Sequence, residues 1–569
     1  MRVHLSHFLL VLPWLFVAPC AATAPLDPRP ATDEALQAKL EQLRERHGLE
    51  AIEVGVFDAA DGRLLGSGTT SEPLLPGEAA SLLAGLALVA LDADGTLSLD
   101  AEVLALAPEL DIRNRWSERP VRIADVLSHR AGFGPLRYRD LFAGEAPPAL
   151  LAGVNAAWRS LETITPPGER QHFSLLSIAL AAYLVEKAAG MPYKDVIDRL
   201  VFRPLGIEIQ SPAAAFPATA FDEAIALPLT AGQLLRIGRL LANRGEYDGH
   251  LVVPAEALER LEASALVPGT ALGVYAEEYA GSRLLSVTGG TAKSLLRLAW
   301  QPEWRQGYLI TLRGPRSEAA LRELDTLLRG QLVPGRVAPL PKPTSLELEP
   351  GWYRNAAHLP PPERLYRQWL EFGRLRSCGE EWCFRAVSTP AVRLSGAGEN
   401  LLRERGRWHA GWQWQDASLV HGEDRWVRVS GPEVLSRVLT VLLAAAGIVM
   451  ALVFAPLSLW RIRGAGLREV LPRLLPLTAL LAALLLQLLL FNADIAALAA
   501  PGAVSIGIFV LSLLVPAGAV LGAGLAGGAF FGWLPRRQAW LCAGLSMAAL
   551  ANAALLGGAG LIAFRSWLY

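Results

Sequence analysis

The chain has 569 residues, a formal net charge of −1, 52% hydrophobic residues and 19% charged ones. That length is too great for one domain and suits two or three. The near-zero charge supplies no basic field of the kind nucleic acid requires, and the uneven distribution of charge excludes a wholly cytosolic enzyme. From Val438 to Tyr569 only nine of 132 residues are charged, whereas the preceding 437 carry 98. A soluble part is therefore followed by a membrane part.

The first residues read MRVHLSHFLLVLPWLFVAPCAATAPLDP. Arg2 provides a positive start, and Phe8 to Ala18 form an apolar stretch too short to span a bilayer. Small residues around Ala22 and Ala24 offer a cleavage site, so residues 1–24 read as a secretory signal. Pro19 in front of Cys20 is a poor fit to a lipoprotein site.

Residues 33–335 alternate apolar runs of helical length with shorter strand-like ones, which predicts an α+β domain. Composition then shifts. The Pro-rich stretch VPGRVAPLPKPTSLELEP reads as a stiff linker. Residues 345–430 follow, rich in Trp and Arg, with short alternating runs such as RWHAGWQWQ and RWVRVSG. These predict a small antiparallel β-rich domain, a sheet or a lipocalin-like barrel. Cys378 and Cys383 flank a CGEEWC turn and are the only cysteines of the exported portion, so an oxidising compartment favours a disulfide between them. The spacing is not that of a redox C-x-x-C.

Residues 438–569 resolve into four apolar spans, roughly Val438–Trp460, Leu474–Phe491, Ala503–Gly532 and Ala539–Phe564, each near the ~20 residues a helix needs to cross hydrocarbon. Arg461, Arg463, Arg468 and Arg473 occupy the first connection, Asp494 the second, and Arg536 and Arg537 the third. Positive loops remain cytoplasmic, so the soluble part and the C-terminus are placed outside. This agrees with the signal. The expected location is the bacterial inner membrane, multi-pass, with the large N-terminal domains in the periplasm. Ionisable groups are confined to loops and helix ends, with Gln487 and Asn552 the polar candidates inside. That pattern predicts an anchor or assembly module rather than a transporter. Glycines 518, 522, 524, 528 and 532 give a spacing suited to close helix packing. The G-x-G-x-x-G at Gly522, Gly524 and Gly527 lies in this hydrophobic run and has no preceding strand, which excludes a dinucleotide fingerprint.

Several segments of residues 33–335 carry a resemblance: GTLSLDAEV (95–103), VRIADVLSHRAGFG (121–134), PPGERQHFS (166–174), EKAAGMPYKDVIDRLVFRPLGIE (186–208) and TGGT (288–291). In this order and spacing the region resembles the serine β-lactamase and penicillin-binding-protein family, with its D-aminopeptidase and esterase relatives. The β-rich domain beginning EPGWYRNA resembles one that often follows such a catalytic domain. The resemblance implies a β-lactamase/D,D-peptidase-like fold and three clusters: a serine with a lysine three residues on, a Y-x-N loop, and a strand bearing K-T-G or H-x-G.

Each cluster is replaced. Alignment back from GTLSLD puts S-x-x-K on Glu78, Ala79, Ala80 and Ser81. The chain has only five lysines (Lys39, Lys187, Lys194, Lys293 and Lys342), and none has a serine three residues before it. None follows a glycine either, which excludes a Walker A loop. Y-x-N falls on Phe173, Ser174 and Leu175. The one Y-x-N in the chain, Tyr353 to Asn355, opens the β-rich domain. K-T-G falls on Val287, Thr288 and Gly289, with the leading cation gone. A Glu78 carboxylate in a helix's first turn suits the macrodipole without a catalytic role. An alternative site built from Ser81, His172 and Glu78 remains open, because a triad is defined by geometry rather than order. His129 belongs to the LSHRAG segment. If the 172–173 segment is extended, His172 and Phe173 point to opposite sides. The chain has neither H-E-x-x-H nor a clustered His/Cys set, so no metal or cofactor is expected.

Two functions follow. The first is an exported, membrane-anchored and catalytically silent relative that binds a peptide, a cell-wall-like ligand or an envelope protein. The second is an active hydrolase or peptidase of D-amino peptidase or esterase type with a rebuilt site. The plan of signal, family domain and C-terminal helices also resembles periplasmic D-amino peptidases that mature natural-product precursors.

Overall fold

A computed structural model describes residues 33–568, apart from 69–71, 135, 141–149, 158–160, 209–223, 225, 264–269, 280–281, 292, 316, 333–341, 357–360, 388–390, 407–409, 423, 462–465, 529–530 and 532–533. Residues 1–24, read from sequence as a secretory signal, and the first half of the Pro-rich linker lie outside the described residues.

The first unit is α+β. Its sheet contains β1 (Ala51–Asp58), β2 (Gly62–Gly68), β5 (Thr270–Ala271), β6 (Val274–Tyr279), β7 (Ser282–Thr291), β8 (Ser294–Gln301) and β9 (Gln306–Arg313), antiparallel throughout in the order β2-β1-β9-β8-β7-β6-β5. The two strands between, β3 (Glu246–Tyr247) and β4 (His250–Leu251), form a separate short hairpin. Strand alternation sends side chains to two cores. Leu295, Ala299, Tyr308 and Ile310 meet the Asp33–His47 and Glu318–Arg329 helices, which bury Leu36, Leu40 and Leu43, and Ala320, Leu321, Leu324 and Leu328. Leu296, Leu298 and Trp300 meet the larger helical layer on the other face. There the Ser81–Ala93 and Leu175–Ala189 helices are apolar nearly all round and buried nearly all round, as a helix enclosed by others must be. Ser174 starts the second of them, its hydroxyl accepting from Leu176 N at 3.2 Å, and Gly190 ends it at φ +66.

The second unit is a closed eight-stranded barrel, β10 (Gly351–Asn355), β11 (Phe372–Cys378), β12 (Glu381–Ala386), β13 (Val392–Gly398), β14 (Leu401–Glu404), β15 (Trp412–Gln415), β16 (Ser418–His421) and β17 (Asp424–Val429), each pairing with the next and β17 with β10. Its interior is filled by Tyr353, Leu375, Phe384, Leu394, Trp412 and Trp426, with Phe384 edge-on to both tryptophans at 5.5 and 5.0 Å between ring centres. Gly373 makes room for that ring: a Cβ there would stand 2.2 Å from Phe384 Cζ. Tyr353 and Asn355 serve the barrel itself, the phenol donating to Glu349 O at 2.6 Å and the amide to Asp424 at 2.7 Å. Cys378 and Cys383 are joined, their Cα atoms 5.8 Å apart. A helix, Pro361–Leu370, interrupts the barrel between β10 and β11; the strand-like reading of 345–430 did not contain it.

Four helices complete the chain: Gly431–Arg461, Leu467–Asn492, Ala503–Gly528 and Arg536–Ala559. All four are long and apolar enough to cross a membrane. Their ends differ from the hydropathy-based limits for physical reasons. Gly431–Arg437 continues the first helix beyond its apolar stretch, and Gly560 at φ +74 stops the fourth before Phe564. Small residues permit close approach, as expected. A Cβ on Gly447 would stand 2.3 Å from Ala548 Cβ, and one on Gly518 3.0 Å from Ala479 Cβ. Gly524 and Gly527 face open space, so the G-x-G-x-x-G is not itself a packing unit. Asn552, buried, donates to Ala444 O at 3.1 Å and ties the fourth helix to the first.

The units meet at one end of the bundle. Tyr138 packs into the cluster that contains Leu498, Leu561 and Phe564, and Leu365 and Trp369 of the inserted helix join the same cluster. The Asp494 connection, the C-terminal residues and both globular units therefore share a side, with Arg468 and Arg536 at the opposite ends of their helices.

Candidate functional site

The end of strand β7 and the two buried helices converge on the positions singled out by sequence. Glu78 lies in a single 3-10 turn, Gly77–Ala80, that leads directly into the helix beginning at Ser81. Glu78 and Ser81 are thus one turn apart, as S-x-x-K spacing requires. Ser81 is 5% exposed, and its Oγ donates to the carbonyl of Gly273 at 2.5 Å. Gly273, at φ +82, lies against the Ser81 backbone, and its own N–H donates to Leu127 O at 3.1 Å. The Ser81 hydroxyl therefore fastens the helix start to the turn before β6, and its proton goes to a peptide oxygen rather than to an imidazole.

Opposite Glu78 runs the end of β7. Val287 is 2% exposed and belongs to the apolar core of the helical layer. Thr288 faces the other side of the sheet and accepts from Arg297 Nη1 at 3.1 Å. Arg297 is itself clamped by Asp325 at 2.8 Å and Glu277 at 2.5 Å, a network beneath the Glu318–Arg329 helix. Gly289 faces the 3-10 turn at backbone distance: a Cβ there would stand 2.2 Å from Pro76 O and 2.3 Å from Ala79 N. Gly77, at φ +54, is met in the same way by Gly290 O at 2.3 Å. Strand and turn are sealed main chain against main chain.

The third side is built around His129. This residue is 2% exposed and adopts φ +57, a conformation that costs a non-glycine residue energy and persists only where its surroundings hold it. Its carbonyl accepts from His172 N at 2.7 Å, its Nδ1 faces Ser174 N at 3.4 Å, and its ring lies 4.8 Å from that of Phe173. Accepting at Nδ1 requires a neutral ring, and burial pushes the pKa down to about 3. Phe173 thus packs on an uncharged imidazole where the family pattern has a phenol. Ser174 spends its hydroxyl on capping, and Leu175 opens the helix.

Glu78, Ser81, Phe173, Ser174, Leu175, Val287 and Gly289 are placed at the junction of the end of β7 with these two helices, whereas Thr288 points to the other side of the sheet. Sequence reasoning missed two residues that organise it. Gly273 and Arg297 carry no local signal, because their partners are 192 and nine residues away. His129 was visible in LSHRAG, but its positive φ was not. Among the described residues no group of three His, Cys, Asp or Glu could hold a metal ion. A cavity of about 480 Å³, bounded by Thr230, Gln233, Arg236 and Tyr247, is lined by none of these positions.

The Beta-lactamase family profile matches residues 81–314. This part of the chain is a Beta-lactamase-family domain. The match begins at Ser81, so Glu78 stands just before it. Unguisins hydrolase ungD' from Aspergillus campestris (strain IBT 28561) is 30% identical over 105 residues, which are 18% of this chain and 19% of that protein. The chain thus matches about a fifth of that relative's length. Among solved structures, SurE with D-Leu is 19% identical, covering 70% of this chain and 99% of its own, with a TM-score of 0.45. The octameric penicillin-binding protein homologue from Pyrococcus abyssi is 16% identical over 70% of this chain and all of its own, with a TM-score of 0.44. The D-amino acid amidase from Ochrobactrum anthropi SV3 with D-phenylalanine is 13% identical over 53% and 99%, also with a TM-score of 0.44.

Proposed function

We propose that this is an exported, membrane-anchored member of the Beta-lactamase family that has lost its acyl chemistry and serves the cell envelope as a binding module for a peptide, a cell-wall-like ligand or a protein partner. One observation carries the reading. The position of the activating lysine is Ser81, whose hydroxyl is bound to a backbone carbonyl, and no lysine in the chain has a serine three residues before it. Acyl transfer in this family needs a nucleophile and a base within hydrogen-bond reach of each other. Here neither the Glu78 position nor the Ser81 position supplies its member of that pair, and Phe173 and Val287 remove two further polar groups. Loss of reacting groups does not abolish binding, which depends on shape and desolvation.

The periplasmic placement rests on the N-terminal signal and on the arginines of the first and third connections. The test is intact-mass analysis of the purified full-length chain after incubation with a fluorophosphonate and with a penicillin. No adduct is expected from either reagent. A stoichiometric adduct would establish the competing reading of a rebuilt hydrolase site, which the name of the fungal relative favours over its short matched segment.

A further inference from the structure

The outer face of the barrel concentrates positive charge at neighbouring register positions. Arg374 and Arg385 stand directly opposite each other across β11 and β12. Arg376 lies two residues along the same face, opposite Cys383, and Arg393 is the partner of Cys383 on the next strand. Arg405 follows, its N–H donating to Arg393 O at 2.8 Å. All five side chains are exposed. Arg393 and Arg405 share one carboxylate, Glu381, at 3.6 and 3.9 Å. Among the described residues no acid forms an ion pair with Arg374, Arg376 or Arg385. Arg374 instead lies over the Trp352 ring, 5.5 Å from its centre.

Like charges directly opposite on an antiparallel pair destabilise it. A barrel selected for folding alone gains nothing from Arg374 facing Arg385, whereas an anion seated between them turns repulsion into binding. The position of the barrel indicates the anion. The Pro361–Leu370 helix leads into β11 through Glu371 alone, and it rests on the bundle. Trp369 covers Gly558 of the fourth span, and Arg437 of the first span donates to Gln368 O at 3.1 Å while lying over the Trp369 ring. Arg374 is four residues beyond Leu370, so an extended chain keeps it within about 13 Å of the bundle's outer end. The last strand runs into the first span within two residues, at Gly431.

We propose that the Arg374–Arg385 face of the barrel binds the phosphates of anionic lipid headgroups in the leaflet beside the Pro361–Leu370 helix, which fixes the barrel's orientation on the membrane. Guanidinium groups suit phosphate because their planar fork donates two parallel hydrogen bonds. The proposal rests on the four helices spanning a membrane and is independent of whether the Beta-lactamase-family domain is silent.

The test uses the full-length chain reconstituted in phosphatidylcholine vesicles with trace spin-labelled phosphatidylglycerol or phosphatidylcholine. The wild type should immobilise phosphatidylglycerol in preference to phosphatidylcholine, and 0.5 M salt should weaken that preference. The R374Q/R376Q/R385Q variant should lose at least half of it while remaining resistant to carbonate extraction. Arg385→Glu, which converts the facing pair to opposite charges, should lower the lipid preference and raise the thermal midpoint in neutral detergent. An unchanged preference in the triple variant overturns the proposal. So does polyglutamate binding by detergent-held wild type with no lipid preference in vesicles, which would assign the face to an acidic protein. A chain extracted by carbonate would overturn the membrane reading as well, and thereby separates the two failures.

Discussion

Gly289 lies against Glu78 main chain to main chain: a Cβ on Gly289 would stand 2.9 Å from Glu78 N. The last turns of strand β7 and the entry to the Ser81 helix are thereby locked together at the place where the family's reacting groups would converge. The nearest atoms are peptide atoms of Pro76, Glu78 and Ala79, which cannot move aside as a flexible side chain can. Gly289→Ala should therefore destabilise the domain by about 2 kcal/mol, within the range for overpacking a tight site. Thermal unfolding of the detergent-held chain would measure it. An alanine variant as stable as wild type would show that the contact is looser than described.

Restoring the family motif on paper should not restore chemistry. In Glu78→Ser combined with Ser81→Lys, the new lysine enters a site that is 5% exposed and already closed by Gly273. The Phe173 and Val287 positions still lack their polar groups, and members of a catalytic unit are strongly non-additive. The double variant should show no acylation by fluorescent penicillin. Ser81→Ala should cost about 1 kcal/mol of stability for the lost hydrogen bond and should change no turnover. A rate that disappears in Ser81→Ala or His172→Ala, with the fold intact, would sink the silent reading.

His129 makes the domain sensitive to acid. Its folded pKa, pushed down to about 3 by burial, lies below the value of about 6.5 it has when unfolded. Stability is therefore fully present above pH 6.5 and is lost as pH falls toward 3, because only the unfolded chain takes up the proton in that window. Between pH 7 and pH 5 the loss attributable to this residue is about 2 kcal/mol. His129→Asn, which tolerates the left-handed backbone, should flatten the pH dependence by that amount in equilibrium unfolding at the two pH values. An equal slope in both proteins would mean that the His129 ring is reached by water.

Topology gives the sharpest test of whether the four apolar helices cross a membrane. Reporters fused after Arg463 and after Arg537 should read cytoplasm, and those at Asp494 and after Tyr569 should read periplasm. A cytoplasmic C-terminus would remove one of the four spans. It would also conflict with Tyr138 and the C-terminal residues packing at the same end of the bundle.

The sequence by itself determined the α+β domain followed by a β-rich unit and four apolar helices, because hydrophobic period and charge dilution are local properties. It determined equally that S-x-x-K is absent, since five lysines can be checked one by one. The joining of Cys378 to Cys383 followed from composition, there being no other cysteine between Cys20 and Cys542. Only the tertiary structure decided that the β-rich unit closes into a barrel, because closure depends on β17 pairing with β10, some seventy residues away. Only it decided that Ser81 spends its hydroxyl on Gly273, that Thr288 turns to Arg297, and that His129 takes a left-handed backbone beneath Phe173. Each of these is a contact across the fold or a backbone angle held by such contacts. Residue type shows which groups are present, whereas the fold decides which atom receives each proton.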